Sequence, residues 1–520
     1  MLFIVTHPLS NYYSQSRAEA NLQLSGRDRV PRLRMPRRRQ AARLEGRSRM
    51  GITVKLGFVP SYRNVWKPWN AKMLDDSLAM LRALPGVEVV APGSLTPHGA
   101  VQSLDQAETV ADHFASAKVD ALVLCPLDFG DERSAAKIAE RLRVPVLLYA
   151  TREPPAAEDA SLARVSDSYC GNLSMASALY RRKLPFRFAG VHFPGEAELD
   201  AEFETFARAV SVVKGLRNAR IGQVGVRPPT FETVGYDEAE LIRKFGQNVI
   251  YANLDDLVAA AQALPDDDPR VQEIIAGLRG SVGAITVTDD HLLKSAKLEV
   301  ALAEFWERNR LSALTMQCWP TIQRAMSLSL CALFGRLTGR HMLTACEADV
   351  LGALSMLVNY QAALGETLPH FIDWTIQHRD DPNRLLAWHC GNAPLCLAGD
   401  PARTALRSRK DMTGELPPVE ADPMAGLFQF QLQPGPVTFC RLAEYDGEWK
   451  MLIATGEIIP SEERLAGTWA WVRAPDHEGL YRTLVEEGFI HHASMIHGDQ
   501  VKALTEACGF LDIEPVVVDQ

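Results

Sequence analysis

Four short stretches of this chain carry side chains that could do chemistry. Residues 344–349 read Thr-Ala-Cys-Glu-Ala-Asp, and 369–374 read Pro-His-Phe-Ile-Asp-Trp. Residues 387–392 read Ala-Trp-His-Cys-Gly-Asn, and 491–499 read His-His-Ala-Ser-Met-Ile-His-Gly-Asp. Glu347 and Asp349 interrupt apolar sequence where a short strand, expected at 341–346, feeds a helix. That helix is marked by Val350, Leu351, Leu354, Leu357 and Val358 at helical spacing, with Gly365 as a stop. Asp349 occupies the N-cap position, where a carboxylate accepts a first-turn N–H. Glu347 has no comparable structural role. Asp373 ends the apolar run Phe371-Ile372 and either caps a helix beginning at Trp374 or belongs to a site. Acids are seldom buried unless paired or bound to metal, so two of them with His389 point to a metal or acid/base centre.

Carboxylates combined with one imidazole suit a hard divalent cation, Mn2+ or another such as Mg2+ or Co2+, better than a thiolate-loving metal. His492 and His497 stand five apart, not at the i, i+4 spacing of two ligands on one helical face, so this loop offers one ligand. His389 and Cys390 sit together after an apolar run, and His491 precedes His492.

Taken together, the segments at 345–349, 371–373, 388–391 and 491–499 resemble the L-fucose isomerase and L-arabinose isomerase superfamily, most closely its fucose-isomerase-like proteins. The resemblance runs from Met50 to the C-terminus. It implies that Glu347, Asp373 and His492 hold a manganese ion, and that Glu347 and Asp373 also move a proton between C1 and C2 of an open-chain sugar through an enediol. It further implies that Gln317, His389, Cys390 and His491 contact the sugar. Arg63 and Trp66 resemble the family's basic and aromatic sugar contacts, and the family's compact oligomers, often hexamers, imply a homo-oligomer whose site is completed in trans. The loop between Glu347 and Asp373 is slightly longer than in the sugar isomerases, which leaves the metal site intact, whereas His491 in place of Asn and Cys390-Gly391 where Ser is common point away from plain L-fucose. The function implied is a metal-dependent aldose–ketose isomerase of a deoxy or C6-modified sugar. An epimerase, or a metal-containing sugar-binding or regulatory protein without turnover, stays open beside it.

The elements that must position these residues follow from periodicity. A length of 520 residues exceeds what one core supports. Expected strands at 54–60, 87–90, 121–125 and 144–150 alternate with helices at 70–84, 105–117 and 132–142. A loop and helix at 163–195 leave this first region. A second run has strands at 219–225, 248–251 and 312–318, with helices at 238–245, 254–264 and 291–309, the last capped by Asp289 or Asp290. Such alternation indicates βαβ units and parallel sheets covered on both faces. Asp266-Asp267-Asp268-Pro269 reads as a solvated turn, and 413–426 as a loop between subdomains. Strand signals at 428–432, 436–445, 449–454 and 468–472 follow, with an Asp446-Gly447 hairpin turn. A last helix at 500–508 and strand at 513–518 close the chain, and Glu457 reads as a strand-end surface acid. The fold class is therefore α/β: two Rossmann-like parallel-sheet domains (50–185 and 186–350) and a β-rich C-terminal domain (351–520) built on an antiparallel sheet or barrel. No G-x-G-x-x-G follows a strand, so a dinucleotide site has no support.

Residues 1–49 hold eleven Arg and three acids, whereas the remainder carries 44 basic and 61 acidic residues. A nucleic-acid arm, a transit peptide and upstream sequence read from a misassigned start compete for this extension. The last is favoured, because Met50-Gly51 directly precedes a well-formed strand. An acidic body argues against nucleic acid as a partner. No apolar run approaches the ~20 residues that span a bilayer. Nine cysteines without a C-x-x-C pair suit reduced thiols in a cytoplasmic protein.

Overall fold

The computed structural model describes residues 51–155, 165–408 and 425–518. The basic extension and most of the expected 413–426 loop lie outside the described residues. Three sheets organise the rest. The first is parallel, in the order Val87–Val90, Val54–Ser61, Ala121–Pro126, Val146–Thr151, Phe186–His192. Its central strand, Ala-Leu-Val-Leu-Cys-Pro, is buried at every position, as the continuous apolar run of a doubly covered parallel strand requires. Residues 163–195 do not leave this sheet: after helix Ser168–Arg181 the chain returns as its fifth strand.

The second sheet is also parallel, in the order Thr344–Cys346, Ala313–Met316, Arg220–Val224, Asn248–Ala252. The strand expected at 341–346 is shorter, because His341 takes a left-handed φ of 62° in the turn after helix Cys331–Gly339. Asp268 is more than a solvated turn residue, since it caps helix Pro269–Ser281 with proline in the first turn. Thr288, not Asp289 or Asp290, caps helix Asp289–Asn309, and the two acids occupy its first turn, where they favour the helix dipole.

The third sheet has ten strands and is mixed, not purely antiparallel. Six of them, Glu448–Ile459, Gly435–Tyr445, His492–His497, His370–Gln377, Arg384–His389 and Thr468–Arg473, pair antiparallel in a ring that returns to its first member. Parallel pairings add Glu514–Val518 and Leu427–Gln431. Glu457 lies within a strand, exposed, opposite Pro436 and Arg473.

Helix Val350–Ala362 joins the second and third sheets. It packs on helix Ala197–Leu216 and on strands Gly435–Tyr445 and His492–His497, and is buried on nearly every side. A helix without charged residues that buries all its faces lies in a core. Two of its polar side chains bond into the third sheet: Asn359 Nδ2 donates to Ser494 O and Oγ, and Ser355 Oγ accepts from Leu442 N.

Candidate active site

The N-terminus of this central helix builds one wall of the site. After strand Thr344–Cys346 the chain turns through Glu347 and Ala348, both left-handed, with φ of 61° and 55°. Two successive non-glycine residues in that region cost about 1–3 kcal/mol each and recur at functional sites. Asp349 then caps the helix, accepting from Gly352 N at 2.8 Å. The turn aims Glu347 at a cavity of about 390 Å³ that is also lined by Trp319, Asp373, Trp388, His389 and Cys390.

The opposite wall is set by register in the third sheet. Asp373 lies on strand His370–Gln377, not at a helix start, and pairs directly with His492. His492 opens a strand where a loop was expected. Residues directly opposite in an antiparallel pair share a face, which brings two residues far apart in sequence together. His492 Nε2 is 2.8 Å from Glu347 Oε2 and 3.6 Å from Asp373 Oδ1. The first contact is close but lacks hydrogen-bond geometry, so His492 Nε2, Asp373 Oδ1 and His389 Nε2 are buried polar atoms without a hydrogen-bond partner among the described residues. Trp319 Nε1 donates to Glu347 Oε1 at 2.8 Å.

Burial opposes charge throughout, and the outcome differs by residue. Glu347 is held down to about 2, because the facing His492 outweighs its burial. Asp349 is fully buried yet lies well below the usual carboxylate range, since Arg441 and His492 both face it. In Asp373 burial wins and the carboxyl is raised. His492 is buried but raised to about 9 by its contacts with Asp349 and Glu347. His389 is likewise raised against its burial, with Asp373 the leading opposite charge. Burial and the charge of His492 push His491 down to about 4.

Of the residues singled out from sequence, Glu347, Asp373, His389, Cys390, His491 and His492 converge. Among the described residues two triads could hold a metal ion, Glu347 with His491 and His492, and Asp373 with His389 and His492; they share His492. Gln317 is buried at the end of strand Ala313–Met316 and is not among the cavity-lining residues. Arg63 and Trp66 belong to the carboxyl end of the first sheet. Arg63 donates to Gly130 O and Glu132, and Trp66 stacks on His98 at 4.6 Å.

Three contributors carry no sequence signal of their own. Phe231, on the segment after strand Arg220–Val224, sets its ring edge against Trp319 at 5.6 Å and His491 at 5.5 Å. Trp319 reads as loop sequence after a strand. Arg441 shares strand Gly435–Tyr445 with Glu444 and pairs with Asp349 at 2.5 Å; its burial, which implies a buried acid, is visible only in the fold.

Comparison with known proteins places both ends of the chain. Residues 57–217 match the Fucose/sulfoquinovose isomerase, N-terminal domain, and residues 387–518 match the L-fucose isomerase, C-terminal domain. The sulfoquinovose isomerase of Alkalicoccus urumqiensis is 27% identical over 407 residues, covering 78% of this chain and 87% of that protein. The sulfoquinovose isomerase of Priestia aryabhattai is 25% identical, covering 81% of this chain and 91% of its own length. That of Clostridium sp. (strain MSTE9) is 26% identical, covering 76% and 86%.

Proposed function

Because this chain belongs to the fucose isomerase-like family and is a sugar isomerase interconverting aldose and ketose, we propose that it acts on sulfoquinovose or a similar C6-modified hexose, with a divalent cation held by Glu347, Asp373 and His492. The observation that carries this reading is the meeting of Asp373 Oδ1 and His492 Nε2, both buried and without a hydrogen-bond partner, beside the ionised Glu347. Oxygen and imidazole donors in this set fit Mn2+, with Mg2+ or Co2+ as alternatives. A cation bound there supplies a Lewis acid for adjacent carbonyl and hydroxyl oxygens.

The chain's own groups do the remaining work. Glu347, held low and fixed by the Trp319 N–H, is the base that takes a proton from the carbon next to the carbonyl. Asp373, raised by burial, is the partner acid that completes transfer between C1 and C2 through an enediol. Cys390 N donates to His389 Nδ1 at 2.8 Å, so the proton of a neutral His389 sits on Nε2. His389 therefore donates a hydrogen bond to a sugar oxygen and is not a ligand. Phe231 and Trp388 provide apolar walls that restrict water, while Cys390 and His491 contact the sugar at the rim. Arg63 and Trp66 contribute from a neighbouring subunit of a homo-oligomer, in trans. Cytoplasmic residence suits the free cysteines, and no helix among the described residues is long and apolar enough to cross a membrane.

The test is a screen of aldoses and ketoses, with sulfoquinovose and L-fucose included, on chelator-treated protein with and without added Mn2+. Mn2+-dependent formation of the ketose from sulfoquinovose, exceeding that from L-fucose, is expected. Turnover insensitive to chelation would refute the metal assignment, and preference for L-fucose would refute the substrate.

A further inference from the structure

We propose that Asp349 and Arg441 are positioning residues for His492: together they fix which ring nitrogen carries the proton, so that the Nε2 lone pair faces Glu347 and Asp373. This inference rests on the ligand reading given above and assigns a task to two residues outside the ligand set.

Four donors surround the Asp349 carboxylate. Gly352 N and Arg441 Nη2 reach Oδ1 at 2.8 and 3.2 Å, and Arg441 Nη1 and His492 Nδ1 reach Oδ2 at 2.5 and 2.9 Å. An ionised carboxylate only accepts, so the ring nitrogen facing it must be the one that bears hydrogen. In the neutral ring this leaves the lone pair on Nε2, the atom with no hydrogen-bond partner. Second partners of this kind orient ligating histidines and raise their basicity. His389 supplies an internal contrast. It borders the same cavity, but its Nδ1 accepts a backbone N–H, so its Nε2 has the opposite polarity.

Capping alone does not account for the arrangement. The Gly352 N–H satisfies the capping role, whereas the ion pair with Arg441 buries both side chains, at 0% and 3% exposure. Burying two charges carries a desolvation cost that often cancels their attraction, so such a pair is weak evidence for stability. Holding an acceptor rigidly behind Nδ1 gives it a task. Arg441 comes from strand Gly435–Tyr445, which pairs with the strand that His492 begins, so helix cap, arginine and histidine are tied to one framework.

Asp349→Asn tests the idea with almost no change of shape. Its amide has one acceptor oxygen for four donors, and its NH2 can donate to Nδ1, favouring the ring form with hydrogen on Nε2. The equivalent exchange behind the histidine of a serine-protease triad keeps the geometry and selects the wrong tautomer. Mn2+ dissociation constants would be measured by competition with a chromophoric chelator for wild type, Asp349→Asn and Glu347→Gln, with circular dichroism to establish folding. A folded Asp349→Asn protein is expected to bind Mn2+ about 10–100-fold more weakly. Unchanged affinity in that protein overturns the proposal. Should Asp349→Asn not fold, Arg441→Lys carries the test: it keeps the charge but loses the two-pronged grip, and is expected to weaken Mn2+ binding several-fold, with equal affinity overturning the proposal. Glu347→Gln separates the two levels. If it binds as wild type does, the ligand reading itself fails; if it weakens while the positioning variant does not, only the present inference fails.

Discussion

Two clusters of polar side chains stand at carboxyl ends of parallel strands, where α/β sheets bind ligands, and they are built differently. In the first sheet, Arg63 is engaged locally: it donates to Gly130 O, pairs with Glu132, and lies over the Phe129 ring at 3.9 Å. In the second, the turn after strand Thr344–Cys346 meets Asp373 and His492 across the cavity, and buried donor atoms are left without partners. An unpaired buried polar group costs about 1–3 kcal/mol. A fold that meets this cost several times within one small volume holds those atoms for something else. The Arg63 side chain is held by its own fold, although Ser61 Oγ beside it is also left without a partner among the described residues; in the second cluster such atoms gather among facing charged groups.

The largest effects are expected in the second cluster. Alanine at Glu347, Asp373 or His492 is expected to remove bound metal and lower turnover by about 10²–10⁴-fold or more, since each carboxylate lost also removes a proton carrier. Metal content by atomic spectroscopy beside ketose formation checks this, and any of the three retaining both would contradict it.

Asp349→Ala comes next. Read as a helix cap alone, the loss would be about 1 kcal/mol. The structure corrects that expectation, because the substitution strands Arg441 in the core without its counter-charge. Urea unfolding should report a loss of about 3–5 kcal/mol, and a loss near the cap value would mean that the pair is not as buried as described.

The third effect depends on pH. The unfolded value for histidine is about 6.5, and folding raises His492 to about 9. Its charged contacts therefore stabilise the metal-free protein fully below the unfolded value, and this contribution is lost as pH rises through about 9. A cation competes with the same proton. The rise in melting temperature on adding Mn2+ should thus grow from pH 6.5 toward 9, and a rise that is flat or shrinks over this window would argue against His492 as a ligand.

The smallest effect belongs to the first cluster. The Arg63–Glu132 pair is 39% and 31% exposed, so Arg63→Ala should cost less than about 1 kcal/mol of stability. If Arg63 serves a neighbouring subunit's site, kcat/KM falls nonetheless. Unchanged turnover would leave Arg63 a local tie and contradict completion in trans.

Much of this was legible in the sequence, and the gaps have physical causes. Asp349 as an N-cap and the helix it begins follow from local pattern, and both are found. Its ion pair with Arg441 is not local: 92 residues separate the partners. Asp373 is compatible with a helix start when only its neighbours are considered. Its place on a strand is decided by pairing with His492–His497, whose sequence His-Ala-Ser-Met-Ile-His has few of the β-branched and aromatic residues that mark a strand. The helix at Pro269–Ser281 is hidden in the sequence because three acids in a row suggest solvent, although Asp268-Pro269 is also an ordinary helix beginning. His492 and His389 differ in what faces Nδ1, a carboxylate or a backbone N–H, and no spacing rule encodes that.

The proposed ligand set of Glu347, Asp373 and His492 can be seen outright by anomalous diffraction from crystals grown with Mn2+. A single strong peak is expected in the cavity within bonding distance of a carboxylate oxygen of Glu347, a carboxylate oxygen of Asp373 and Nε2 of His492. A peak bonded to His389 Nε2 instead, or no peak in this cavity at saturating Mn2+, would contradict this ligand set.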